Sequence, residues 1–215
     1  MPDINITENG VYKLLKNLNV NKAAGPDQIP TKILQAAASE LAPALSRLFQ
    51  FSLDTAVVPQ DWRDANIVPL CKKGDTQLAA NYRPVSLTAI ACKLLEHIVH
   101  SNIMSHYEKL NVLSDSQHGF RKRRSCESQL IITIDQLAKN TASGNQVDII
   151  LIDFEKAFDK VPHSRLLYKL QFYGIRGHTN AWIKSFLSNR KQQVVLEGRN
   201  QTRMMYYQEY RRKQY

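Results

Sequence analysis

The front of the chain alternates apolar and polar residues at helical spacing. Between Glu8 and Leu18 the apolar residues Val11, Leu14, Leu15 and Leu18 fall at i, i+3, i+4 and i+7, which predicts a helix buried along one face. Ala24-Gly25-Pro26-Asp27 then interrupts the pattern, because Gly accepts unusual dihedrals while Pro fixes φ and lacks a donor. A second helix follows, with Thr31 as its candidate cap and Ile33, Leu34, Ala37 and Leu41 on one side. Pro43 is expected to kink or split that helix before Leu45, Leu48, Phe49 and Leu53 resume the period.

From Val57 the pattern changes. Pro59 and Trp62 lead into Asn66-Ile67-Val68-Pro69-Leu70-Cys71, a strand that runs into the basic turn Lys72-Lys73-Gly74-Asp75. Tyr82 to Leu87 is a second extended piece, followed by a helix from about Ala89 to Tyr107 with Leu94, Leu95, Ile98 and Val99 as its core face. Gln117 to Arg124 is polar and basic and is expected to be exposed. Ser125 then caps a helix carrying Leu130, Ile131, Ile134 and Leu137. Val147 to Ile152 is almost unbroken apolar, the pattern of a strand covered on both faces, with Asp153 at its carboxyl end. Pro162 opens another helix, Gly174 and Gly177 interrupt it, Ala181 to Leu187 forms one more, and Gln193 to Leu196 is a strand. No internal repeat or low-complexity block is present.

Composition is that of an ordinary globular chain, with 43% hydrophobic and 22% charged residues, so it excludes disorder but names no function. Charge adds more, since 29 Lys and Arg against 19 Asp and Glu give a formal net charge of +10. The excess gathers at Arg121-Lys122-Arg123-Arg124, at Lys184, Arg190, Lys191 and Arg199, and at Arg203, Arg211, Arg212 and Lys213. Such clusters suit a phosphate backbone, although a solvated surface or a localisation signal has the same composition. Cys71, Cys92 and Cys126 lie far apart in sequence with no C-x-x-C pair, so neither a zinc site nor a disulfide framework is indicated. With no leader-like start and no membrane-length apolar run, the sequence predicts a soluble intracellular protein with no membrane partner, the nucleus and the cytoplasm both remaining open.

The candidate chemistry centres on Asp153. A carboxylate at the tip of a rigid strand has a fixed backbone and can hold Mg²⁺ in a defined place, phosphate oxygens and water filling the other positions. The competing reading is that Asp153 caps the turn that follows. His163 is read as a helix-start residue rather than a metal ligand, since no second His lies at ligand spacing.

Asp153-Phe154-Glu155-Lys156-Ala157-Phe158-Asp159-Lys160-Val161-Pro162-His163 resembles the first catalytic motif, motif A, of the reverse transcriptase family. Ile67 to Asp75 with Asn81 to Leu87 is similar to a fingers motif of non-LTR retrotransposon reverse transcriptases, and Gln117-His118-Gly119-Phe120-Arg121 with Ser125 is similar to their second fingers motif. Softer likenesses lie at Lys22 to Asp27 and at Trp182 to Val194, so the resemblance covers residues 20 to 199 with its motifs in the family's order.

The resemblance implies RNA-templated DNA synthesis, with an RNA template, a DNA primer, deoxynucleoside triphosphates and Mg²⁺. It implies that Asp153 is the catalytic, metal-binding carboxylate and that Phe158 lies under the incoming sugar, with Asp159 structural or substrate-lining. Arg83 and Lys72 or Lys73 would meet the triphosphate. Gly119, Phe120 and Arg121 would lie by the template, His118 being a surface or template-lining residue.

The implied architecture is α+β, a partial right-hand polymerase: a helical segment 1–56, fingers 57–145, an incomplete palm 146–199 and an off-pattern basic tail 200–215. The family's Pro-Gln-Gly segment and Tyr-x-Asp-Asp hairpin are not found, so the stretch is expected to be a truncated and inactive form. A non-catalytic RNA- or DNA-binding module is the alternative, and it would not need Asp153.

Overall fold

The computed structural model describes residues 1–154, 157–196 and 199–200 and is mixed helix and sheet. It divides into two units, one made of residues 1–103 and 163–215 and the other of residues 104–162.

The first unit opens with helix α1 (Glu8–Lys16), whose N-cap Thr7 accepts a hydrogen bond from the Gly10 amide. Val11 and Leu15 are fully buried, as the spacing predicts. The next helical stretch is split into α2 (Thr31–Ala36) and α3 (Ala38–Thr55). The break falls at Ala37, and Pro43 sits inside α3, where its missing N–H leaves the Ser39 carbonyl without an i+4 donor. Thr31 is not the cap: Pro30 holds that position and the Thr31 hydroxyl donates instead to the Lys22 carbonyl at 3.2 Å.

A short helix α4 (Gln60–Arg63) delivers Trp62 to the core, edge-on to Phe49 at 5.6 Å between ring centroids, and leads into strand β1 (Asp64–Cys71). Strand β2 (Tyr82–Leu87) pairs antiparallel with β1, and helix α5 (Ile90–Lys109) follows. Later in the chain come α7 (His163–Phe172), α8 (Gly177–Leu187), β3 (Lys191–Leu196) and β4 (Arg199–Asn200). The sheet runs β2-β1-β3-β4, with β1 and β3 parallel and the other two pairs antiparallel. Pro69 and Pro84 face each other across β1 and β2, past Ile67 where the pairing of β1 with β3 stops, so the Pro69 nitrogen interrupts no ladder on that side.

The core joins α1, α2, α3, α5 and α8. Its far-reaching polar contact is the buried Trp182 Nε1, which donates to Ser52 Oγ at 2.9 Å. Gly25 is buried for a different reason from the one its sequence context suggests. Its φ lies outside the left-handed range, but a Cβ there would stand 2.5 Å from the Ala89 nitrogen and the Thr88 carbonyl carbon, so the glycine permits two backbones to touch.

In the second unit Ser125 caps α6 (Cys126–Ala142) as expected, through a reciprocal capping box with Ser128. One expectation fails here, and one apolar face goes uncovered. Leu130, Ile131 and Ile134 of α6 are exposed rather than core, and Val147 to Ile152 is irregular rather than a buried strand, Leu151 being 92% exposed. A strand exists only where a neighbour completes its ladder, and among the described residues none pairs with this segment, so its apolar side chains stay exposed.

Candidate functional site

The residues singled out by sequence fall in both units. In the first, Lys72, Lys73 and Arg83 line one open cleft of about 600 Å³ together with Leu70, Cys71 and Asn81. Register explains Arg83, which sits opposite Leu70 on the antiparallel pair β1 and β2. The turn explains the lysines.

That turn is closed by the Lys72 amide donating to the Asn81 carbonyl at 2.8 Å. The Asp75 carboxylate accepts from the Gln77 amide at 2.8 Å, the Asn81 side-chain amide donates to the Asp75 carbonyl at 2.8 Å, and the Tyr82 hydroxyl donates to the Thr76 carbonyl at 2.9 Å. Gly74 has φ +93° and lies against the Asn81 side chain, a conformation that a side-chain-bearing residue adopts only under strain. The turn therefore satisfies its own polar groups and leaves the cations free. Among the described residues no carboxylate pairs with Lys72, Lys73 or Arg83, and all three are exposed. An open cleft lined by three uncompensated cations suits an anion, with Arg offering a planar donor fork and Lys a point charge. Asn81 and Asp75 had no role assigned from sequence; the signal available was an Asn immediately ahead of a strand that follows a Gly-Asp turn.

In the second unit the Gln117 to Arg124 loop is only partly exposed. His118, expected to be at the surface or lining the template, is buried, its Nδ1 lying 2.8 Å from the Ser128 hydroxyl at the first turn of α6. Arg121 is closed on Glu108, Nε to Oε1 at 3.2 Å and Nη2 to Oε2 at 3.0 Å, and donates to the Ser114 carbonyl at 2.9 Å. Gly119 is open: a Cβ there would meet nothing within 4 Å. Phe120, at φ +60° and 82% exposed, meets Phe158, 79% exposed, edge to face at 6.1 Å. Two aromatics from separate sequence motifs are thus brought together.

Asp153 is exposed within an irregular segment, and Glu155 lies outside the described residues. Among the described residues no three His, Cys, Asp or Glu side chains group as donors for a metal ion. One carboxylate does not make a divalent-metal centre, so the described residues alone do not fit one. Cys71, Cys92 and Cys126 are all free thiols; burial, then the neighbouring Glu96 carboxylate, pushes the Cys92 thiol far up. No helix among the described residues is long and apolar enough to cross a membrane.

Residues 71–210 match the family described as reverse transcriptase (RNA-dependent DNA polymerase). The chain is similar to the RNA-directed DNA polymerase from mobile element jockey of Drosophila melanogaster, 26% identical over 200 residues, 90% of this chain and 21% of that protein. Its namesake in Drosophila funebris is 26% identical over 199 residues, 92% of this chain and 22% of that protein. A Drosophila melanogaster protein named "Probable RNA-directed DNA polymerase from transposon BS" is 25% identical over 188 residues, 84% of this chain and 20% of that protein. The chain spans about a fifth of the length of these relatives.

Proposed function

This chain belongs to the reverse transcriptase (RNA-dependent DNA polymerase) family, its relatives being polymerases of non-LTR retrotransposons, and on that premise we propose that it carries the nucleotide-receiving and template-facing part of such an enzyme. In this reading Lys72, Lys73 and Arg83 hold the triphosphate of an incoming deoxynucleotide. Gly119, Phe120 and Arg121 belong to the template side, Arg121 as a strut. Residues 57–145 act as fingers and 146–199 as part of a palm.

The single observation that carries the reading is the convergence of Lys72, Lys73 and Arg83 on one cleft with no carboxylate pairing them among the described residues. Two turn positions and one on the next strand have no shared structural need to be basic. A polyphosphate supplies that need.

Titrating a deoxynucleoside triphosphate into the full chain by calorimetry tests it. Charge-assisted bonds are worth roughly 1.5–3 kcal/mol, so Arg83→Ala is expected to weaken binding by about tenfold or more. Equal affinity in parent and variant would refute the assignment.

Members of this family use divalent metal for the chemical step, and Asp153 is proposed as one carboxylate donor for Mg²⁺. Because no cluster of three or more His, Cys, Asp or Glu completes such a centre among the described residues, the chain is proposed not to extend a primer on its own. Templated synthesis by the purified chain that vanishes in Asp153→Ala would overturn this.

A further inference from the structure

The basic run Arg121-Lys122-Arg123-Arg124 reads in sequence as one positive block, but the fold divides it in two. Arg121 keeps a side chain only 9% exposed, its fork occupied by the Glu108 carboxylate and the Ser114 carbonyl. Arg124 is closed on Asp115, with Nη2 to Oδ1 at 2.8 Å and Nη1 on the Asp115 carbonyl. Both guanidinium groups therefore tie the loop to the last turn of α5 and the segment after it. Lys122 and Arg123 between them are exposed and make no ion pair with any described residue.

The backbone supports the division. Phe120 at φ +60° and Arg123 at φ +61° both occupy the left-handed region, which non-glycine residues enter only where their surroundings hold them there. Each of these positions is followed directly by one of the arginine clamps, Arg121 and Arg124. What they present is a short outward-facing set: Phe120 with its edge-to-face partner Phe158, and the free cations Lys122 and Arg123.

We infer that Lys122 and Arg123, with Phe120 and Phe158, form a contact surface for single-stranded RNA, while Arg121 and Arg124 are positioning residues that never touch it. The chemistry selects a single strand, and the template reading makes that strand RNA. Cations engage phosphate sequence-independently, and exposed aromatic rings stack on bases only where the bases are not already paired in a duplex. The inference rests on the template-side reading above and changes which residues would do the binding.

Fluorescence anisotropy with a short labelled single-stranded RNA, titrated across a salt series, tests it on the full chain. The double variant Lys122→Ala with Arg123→Gly is expected to lose about tenfold in affinity, and the slope of log K against log salt should flatten by about 1.4, two contacts at roughly 0.7 each for a single strand. Its melting temperature should stay at or above the parent's, since Gly relieves the left-handed position of Arg123. Arg121→Ala and Arg124→Ala should do the reverse, lowering the melting temperature while leaving the salt slope of the folded protein unchanged.

Parent-like affinity and slope in the double variant would overturn the inference while leaving the template reading standing. So would a flattened slope in Arg121→Ala without loss of stability, or duplex RNA bound as tightly as single strand with no effect of Phe120→Ala. Absence of any RNA binding by the parent at low salt would instead remove the template reading itself, and this inference with it.

Discussion

Two glycines, Gly25 and Gly119, are predicted to respond oppositely to the same substitution. In Gly25→Ala the new Cβ would lie 2.5 Å from the Ala89 nitrogen, 2.5 Å from the Thr88 carbonyl carbon and 2.6 Å from the Thr88 oxygen. Relaxed contacts between such atoms are roughly 3.5–4.0 Å, so the overlap is about 1 Å. The atoms in the way are backbone and cannot swing aside as a side chain would. Either the Ala24 to Asp27 turn or the junction between β2 and α5 must move. Overpacking of this kind costs about 1–3 kcal/mol, and the upper end applies where no rotamer offers an escape. Ala also restricts the unfolded chain, which offsets about 0.4–1 kcal/mol, leaving a net loss near 2 kcal/mol. For a unit of this size that lowers the melting temperature by about 4–8 °C. At Gly119 a Cβ meets nothing within 4 Å and φ is outside the left-handed range, so Gly119→Ala is expected to be neutral or slightly stabilising. Circular dichroism melts of the two variants against the parent decide the matter. A Gly25→Ala curve superimposable on the parent's, or a Gly119→Ala variant that is the less stable of the two, would refute the reasoning.

Ser52→Ala leaves the buried Trp182 indole N–H and the Val57 carbonyl without their hydroxyl partner, and is expected to cost about 1–3 kcal/mol in urea denaturation, whereas Trp182→Phe leaves the Ser52 bond to Val57 intact. In a double-mutant cycle the two changes should be strongly non-additive. Of the three thiols, Cys71 and Cys126 are exposed and should react with a thiol reagent in the native chain, while Cys92 should react only on unfolding; full labelling of all three at once would contradict its burial. Because the Cys92 thiol is raised in the fold, its contribution is complete below the unfolded thiol pKa of about 8.5 and is lost as pH climbs above it, by at most about 1.4 kcal/mol per pH unit. Cys92→Ala should therefore flatten the fall of the urea midpoint between about pH 8 and pH 9.5. Lys72→Ala with Lys73→Ala should weaken triphosphate binding without shifting the melt, since neither side chain bonds to any described residue.

Local signals carried the parts of the fold whose partners are close in sequence. The period of α1, the capping box at Ser125 and the strand Tyr82 to Leu87 all follow from residues within one turn or one hairpin. The cation cleft was legible because its three basic residues lie on a single hairpin. Failures occur where long-range contacts decide. Val147 to Ile152 has a strand's composition, yet a strand needs a neighbour, and none is supplied among the described residues. The apolar stripe of α6 is real in the sequence and still exposed in the fold. The Arg121 to Arg124 run shows why charge counting falls short, since only the positions of Glu108 and Asp115 reveal which two arginines are already committed. Gly25 makes the same point for packing, its partner being the backbone at Thr88 and Ala89.

The claim at the centre is that the hairpin between β1 and β2 receives the phosphates of a nucleotide. Irradiating the full chain with a deoxynucleoside triphosphate that carries an aryl azide on its γ-phosphate, then mapping the adduct by mass spectrometry, tests it at the residue level. The adduct is predicted on peptides from Leu70 to Arg83, and unlabelled deoxynucleoside triphosphate or tripolyphosphate should compete it away. Label confined to other segments, or label on the hairpin that neither competitor reduces, would contradict it.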